Sequence, residues 1–170
     1  MPASARRVGR MTDNVKKVDA AAPALEGRLQ LAATGLEAEF ALVLDGEPVR
    51  PEQVFGDPRG FLHGRLMHRV GSSYHIPTGG AVYFDTGVIE VVTPIIEVER
   101  GCGARAGRSL WEAICYVRDE LDAWQQNGAV DARLVGFSTH YNVSFERPVD
   151  GPRYGRTIGD LALLLTHVLA

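Results

Sequence analysis

Residues 36–45 read LEAEFALVLD and have the alternation of a β-strand. Apolar side chains recur at every second position, which places them on one face of the strand. That face holds Leu36, Ala38, Phe40, Leu42 and Leu44. The opposite face begins with Glu37 and Glu39 and continues with Ala41 and Val43. The pattern predicts a strand that buries one face and carries two carboxylates on the other.

Two further strands are predicted at residues 81–85 (AVYFD) and 88–93 (VIEVVT). The Thr86-Gly87 step between them favours a tight turn, so the two strands should form a hairpin. A proline then interrupts the pattern, and residues 95–98 are predicted to continue the ladder after a bulge.

Residues 106–126 have the period of an amphipathic helix. Its apolar stripe comprises Leu110, Ile114, Val117, Leu121 and Trp124. Gly128 is predicted to end the helix, because glycine is common just past the last helical turn. Trp111 is predicted to lie in the core with Trp124.

Four other segments are less regular. Residues 46–80 are rich in Gly and Pro, which predicts a long connection with at most short elements. Residues 133–137 and 140–146 alternate and predict two more strands. A last helix is predicted from Ile158, with Thr157 as its cap.

A chain of 170 residues supports one domain. We expect that domain to span residues 34–170 and to follow a poorly ordered leader at 1–33, which shows no sustained period. The predicted fold class is α+β, a mainly antiparallel sheet with helices packed on one face.

Composition excludes several classes of partner. The net charge is −3, from 18 Lys and Arg against 21 Asp and Glu, so no nucleic-acid partner is expected. No apolar run is long enough to cross a membrane, so no membrane partner is expected either. Cys102 and Cys115 are too few for a disulfide framework, and we interpret them as reduced thiols of a cytoplasmic protein.

Carboxylates on apolar strands are the residues that indicate chemistry. Glu37 and Glu39 share a face that continues with residues suited to burial. One interpretation is a solvated strand face. The other is a cation site, because buried carboxylates that face each other are costly without a cation between them. Mg²⁺ prefers such oxygen ligands and takes phosphate oxygens for its remaining positions.

The predicted hairpin carries two more acids, and a later strand carries two polar side chains. Tyr83 and Asp85 share one face of their strand, and Glu90 lies among β-branched residues in the next. His140 and Asn142 share a face by alternation and could bind nucleotide or substrate oxygens, although a polar strand face is more often solvated. An acid on each of three apolar strands favours a metal site but does not indicate a reaction.

Three motifs resemble those of the Pup ligase and its relative the Pup deamidase (depupylase). TGLEAEF (34–40) is similar to the family's G-I-E-x-E-[FY] opening. PTGGAVYFDTGVIEVVTP (77–94) is similar to N-G-[GA]-R-x-Y-x-D…P-E-Y-x-[TS], and GFSTHYNVSFE (136–146) to G-x-H-E-N-Y. These enzymes belong to the glutamine-synthetase-like carboxylate-amine ligases. The resemblance implies that residues 34–170 are the N-terminal part of such a catalytic domain.

The resemblance also implies the role of each matched residue. Mg²⁺ would be bound by Glu37, Tyr83 and Glu90, with Glu39 as a further ligand or support. Asp85 would be the proton acceptor, and ATP would be contacted at Thr93, with His140 and Asn142 as the further nucleotide-binding candidates that the strand pattern supplies. The implied cofactors are Mg²⁺ and ATP, and the implied reaction joins a carboxylate to an amine through an acyl-phosphate. The substrates could include a protein or peptide.

Two alternatives to the ligase are retained. The five-residue step from Asp85 to Glu90 is the deamidase-like spacing, which would make the chain an amide hydrolase on the same site. Ala81 stands where the family has an arginine that contacts ATP, which favours a truncated binding module without turnover. For the ligase, the chain would be a fragment or a second chain would complete the fold.

Overall fold

One long strand, β1 (Gln30–Leu44), organises the fold. In this computed structural model the described residues are 30–65, 68–128, 130–146, 159 and 162–163. Strand β1 begins at Gln30, four residues before the predicted start of the domain, because its first residues also pair with other strands. The rest of the predicted leader lies outside the described residues.

Strand β1 is paired along both edges, always antiparallel. One edge pairs in turn with β2 (Glu47–Val49), β6 (Val88–Val92) and β7 (Ile96–Glu97). The other edge pairs over nearly its whole length with β8 (Ala132–Glu146). Every strand that contacts β1 therefore takes its register from the alternation of β1.

The sheet continues beyond β6 through β5 (Ala81–Asp85), β4 (Ser73–His75) and β3 (His68–Val70). The predicted hairpin is confirmed, since β5 and β6 pair from Ala81↔Val92 to Asp85↔Val88. Its turn places Thr86 and Gly87 at φ 47° and 100°, the positive values of a tight hairpin turn. The predicted continuation after the proline is also present, as β7.

The connection over residues 46–80 has only short elements, as predicted. It contains β2, the helix α1 (Pro51–Phe55), a 3-10 turn at Pro58–Gly60, and the β3–β4 hairpin. That hairpin extends the sheet, which the Gly and Pro content of the connection did not indicate.

The helix α2 (Cys102–Gly128) packs across one face of the sheet. Val117 and Leu121 of the predicted stripe are fully buried, and the other predicted positions pack against the core at partial burial. Trp111 was wrongly predicted to lie in the core and is 65% exposed. Trp111 is two residues from the buried Ala113, and two residues correspond to a rotation of about 200° around a helix. Trp111 therefore lies on the side of α2 opposite Ala113.

One strand, β8, replaces the two predicted at 133–137 and 140–146. Gly136 is paired with Phe40 and Ser138 with Glu39, so Phe137 is the extra residue of a bulge. The bulge shifts the alternation by one position, which made a continuous strand look like two.

Of the predicted last helix, Gly159, Ala162 and Leu163 are helical, and the remainder lies outside the described residues.

The fold is therefore α+β, with a mainly antiparallel sheet and its principal helix on one face. The core between them holds Leu42, Phe61, Leu62, Ile76, Val82, Ile89, Val91, Ala113, Val117 and Leu121, among others. Within the part of the chain that the structure describes, no helix combines the length and apolar character of a membrane span.

Candidate acidic site on the face opposite α2

Four neighbouring strands align polar side chains in one row on the sheet face that α2 does not cover. Across β8, β1, β6 and β5, the pairing sets Ser138 opposite Glu39, Glu39 opposite Glu90, and Glu90 opposite Tyr83. Directly opposite residues share a face and have neighbouring Cβ atoms. Glu39 and Glu90 are both buried, so two carboxylates face each other away from water.

A second row lies one step along the strands. There His140 is opposite Glu37, and Glu37 is opposite Val92. Nδ1 of His140 lies 3.2 Å from Oε2 of Glu37, and Nε2 lies 3.5 Å from Oε1 of Glu39. One imidazole ring therefore bridges the two carboxylates that alternation predicted to share a face. The predicted nucleotide-contacting His140 contacts two predicted metal ligands in this arrangement.

Glu90 is held in an electrostatically unfavourable position. Burial raises the pKa of its carboxyl, and the charges of Glu37, Glu39 and Asp85 raise it further. The hydrogen bond from the Tyr83 hydroxyl acts in the opposite direction and stabilises the ionised form. The charges of three other acids thus reach the Glu90 carboxyl.

The same negative charges act on Tyr83, which donates that hydrogen bond. Burial raises the pKa of its hydroxyl well above the ordinary value for tyrosine. Its hydrogen bond to Glu90 and the negative charges of Glu90, Glu37 and Asp85 act in the same direction. The hydroxyl is therefore a protonated donor to Glu90 at neutral pH.

Asp85 occupies the exposed end of β5, next to the hairpin turn. Its Oδ1 accepts a hydrogen bond of 2.7 Å from the Thr86 hydroxyl. Unlike Glu39 and Glu90, this carboxylate is accessible to solvent and to a molecule bound on the face.

A cleft of about 390 Å³ opens where β1 separates from β6 toward β7. Glu37, Thr93 and Asn142 are among its lining residues, together with Gly35, Pro94 and Ile95. The Thr93 hydroxyl accepts a hydrogen bond from the Leu36 amide at 3.0 Å, and the Thr93 amide donates to the Leu36 carbonyl at 2.9 Å. The Thr93 hydroxyl therefore links the end of β6 to β1, at the point where the regular pairing of these two strands stops.

These residues suit a hard cation by type but do not form a complete metal cage. Among residues 30–65, 68–128 and 130–146, no three His, Cys, Asp or Glu side chains converge as metal ligands. Mg²⁺ is commonly held by only one or two carboxylates, with substrate phosphates and waters completing its octahedron. Glu37 and Glu39 could supply such a pair if the His140 ring turned aside.

The structure thus brings Glu37, Glu39, Tyr83, Glu90 and His140 together and places Asp85 at the rim. Asn142 and Thr93 lie with Glu37 around the adjoining cleft. Sequence reasoning missed Ser138 as the neighbour of Glu39 and Gly35 as a cleft residue. Ser138 is two residues from His140 and so shares its face by alternation, but only the register of β8 against β1 pairs it with Glu39.

Comparison with protein-family models, with curated proteins and with solved structures finds no match to this chain.

Proposed function

We propose that this chain carries the magnesium-nucleotide half of a carboxylate-amine ligase site, of the kind found in the Pup ligase and other glutamine-synthetase-like enzymes. The ligands would be ATP, a carboxylate and an amine. A cytoplasmic location is part of the proposal and is supported by the two free cysteines.

The observation that carries the proposal is the charge of the face opposite α2. Among its described residues, Glu37, Glu39, Asp85 and Glu90 carry four carboxylates, and one imidazole is their only basic neighbour within ion-pair distance. Two of the four are buried. A divalent cation with its phosphate ligands would relieve this repulsion, which water relieves poorly at buried groups.

Each residue then has a definite task. Glu37 and Glu39, with Glu90 held by Tyr83, would bind the cation, which would neutralise charge on the phosphate oxygens. Thr93, Asn142 and His140 lie beside Glu37 and would contact the nucleotide. The exposed Asp85 carboxylate would take the proton from an incoming ammonium, because only the neutral amine is a nucleophile.

An amide hydrolase is the second candidate, and the Asp85–Glu90 spacing favours it. In that case Asp85 would activate water instead of an amine. The two are distinguished by products, since the ligase forms ADP and phosphate in step with the new amide bond. A binding module would bind nucleotide and form neither product.

Calorimetry of the purified chain with millimolar Mg-ATP tests the proposal. We expect binding heat, and Glu37→Gln should weaken nucleotide affinity by roughly tenfold or more, the scale of a lost metal contact. Glu112→Gln is the matched control, because Glu112 is an exposed acid on α2. Absence of binding heat, or equal weakening by both variants, would overturn the proposal for this chain.

Asp85→Asn tests the assignment of the base. We expect it to lower turnover by roughly 10²–10⁴-fold while nucleotide affinity stays within error of the unmodified chain. Loss of nucleotide binding instead would identify Asp85 as a cation ligand.

A further inference from the structure

A second cleft, of about 540 Å³, lies between the β3–β4 hairpin and the segment that follows the 3-10 turn. It is lined by Arg59, Gly64, Arg65, His68, Arg69 and Tyr74. Three arginines and a histidine at one cleft contrast with the acidic face described above. None of these residues takes part in the proposed function.

Arg59 is anchored so that most of its donors stay free. One guanidinium nitrogen, Nη1, donates to the carbonyls of Leu62 at 3.0 Å and Gly64 at 3.3 Å. An arginine side chain has five N–H donors in a planar fork. The two backbone contacts therefore orient the guanidinium and leave Nε and Nη2 for a ligand.

Arg69, in β3, is anchored in a similar way. Its Nε donates to the Gly71 carbonyl at 2.8 Å, and its guanidinium lies 4.9 Å from the centre of the Tyr74 ring. Tyr74 is itself buried, and its hydroxyl donates to Asp57 at 2.6 Å. The ring is thus a fixed platform, and both terminal nitrogens of Arg69 remain available.

The positive charges of the cleft are not neutralised by ion pairs. Within the described part of the chain, Arg59, Arg65 and Arg69 have no carboxylate at ion-pair distance, whereas Arg118 and Arg133 are each paired with an aspartate. Both nearby acids are otherwise engaged. Asp57 accepts from the Arg59 amide and Tyr74, and Glu120 accepts from the amides of His63 and Gly64.

We propose that this cleft binds a compact polyvalent oxyanion, either a phosphorylated ligand or a polycarboxylate. Both present oxygen pairs that match the fork of a guanidinium. Two anchored forks with free donors lose little side-chain entropy on binding, which is what distinguishes them from freely moving surface arginines.

Calorimetry with inorganic pyrophosphate and with citrate tests this inference, on the full chain in magnesium-free buffer of low ionic strength. We expect at least one of the two anions to bind with a dissociation constant below about 1 mM. Tighter binding of pyrophosphate would assign a phosphorylated ligand, and tighter binding of citrate a polycarboxylate.

Three substitutions make the test specific. Arg65→Gln and Arg69→Gln should each weaken anion affinity by about tenfold. Arg118→Gln removes the same charge from the exposed side of α2 and should change nothing. Arg65 makes no hydrogen bond in the described residues, so Arg65→Gln should fold normally even if Arg69→Gln does not. Failure of both anions to bind, undiminished binding by Arg65→Gln, or equal weakening by Arg118→Gln would each overturn the inference.

Discussion

At the scale of single residues, the most unusual feature is a pair of glutamates, Glu39 and Glu90, that face each other across two strands and are both buried. Among the described residues, each has one side-chain partner. Glu90 accepts a hydrogen bond from Tyr83, and Glu39 lies beside Nε2 of His140. These partners compensate only part of the burial cost, since the pKa of Glu90 stays raised.

Glu90→Gln should therefore stabilise the metal-free chain at neutral pH. The pKa of Glu90 is higher in the folded chain than in the unfolded chain. The contribution of Glu90 to the free energy of unfolding is therefore complete below about pH 4, and it is lost as pH rises through the folded-state pKa. Glutamine is neutral throughout. We expect a gain of about 1 kcal/mol near pH 7.5 that vanishes near pH 4, measured by urea unfolding. A gain that does not depend on pH would contradict this explanation.

Tyr83→Phe examines the same hydrogen bond from the donor side. Removing the hydroxyl leaves a buried carboxylate without its donor, which should cost about 1–3 kcal/mol of unfolding free energy at neutral pH. In the Glu90→Gln background the cost should be smaller. A double-mutant cycle by urea unfolding measures the difference, and strictly additive effects would show that the two side chains do not interact.

Alternation predicts which strand face carries the acids of this site. It does not predict which side chains contact one another. The strand LEAEFALVLD correctly separates the acids from the apolar residues, because side chains alternate with a period of two. The contact between Glu37 and His140 depends on the pairing of segments 103 residues apart. No local pattern encodes that register, so the role of His140 as a bridge between two glutamates could not be read from the sequence.

At the scale of elements, the β5–β6 hairpin depends on a glycine just before β5. A Cβ atom on Gly80 would lie 2.3 Å from the carbonyl oxygen of Val92. That atom belongs to the backbone and cannot move aside without distorting β6.

Gly80→Ala should consequently destabilise the fold by about 1–3 kcal/mol, the usual cost of overpacking. Gly103→Ala is the matched control, because a Cβ atom there meets nothing within 4 Å and lies in the first turn of α2. Thermal unfolding of both variants checks the prediction. Equal melting temperatures would show that the strand can move to accommodate the methyl group.

The predictions that failed at this scale have local causes. The bulge at Phe137 interrupts the alternation of β8, so a continuous strand gave the pattern of two. Trp111 is assigned to the core by residue type alone, whereas it lies about 200° around α2 from the buried Ala113 and is exposed. In one case a rule of alternation, and in the other a rule of residue type, was applied where the geometry of the element decides.

At the scale of the whole molecule, β1 is paired on both edges, and the sheet ends on one side in the small β3–β4 hairpin. The backbone of residues 37–40 is paired with β6 and β8 at once. The three residues of β3 are all exposed. Stability should accordingly differ strongly between these two regions.

Native-state hydrogen exchange checks that expectation residue by residue. The hydrogen-bonded amides at 37–40 should exchange only on global unfolding, with a free energy equal to that from urea titration. Amides of the β3–β4 hairpin should exchange through local opening at a lower free energy. Faster exchange at 37–40 than in the hairpin would contradict the central role of β1.

The pairing of β1 with β8 also has a consequence during synthesis. Strand β1 ends at Leu44, and β8 runs from Ala132 to Glu146. At translation rates of roughly 5–20 residues per second, the intervening chain takes about 5–20 seconds to emerge. During that interval one edge of β1 has no partner strand, with Glu37 and Glu39 projecting beside it. Their like charges would discourage two nascent chains from joining along that edge before β8 arrives.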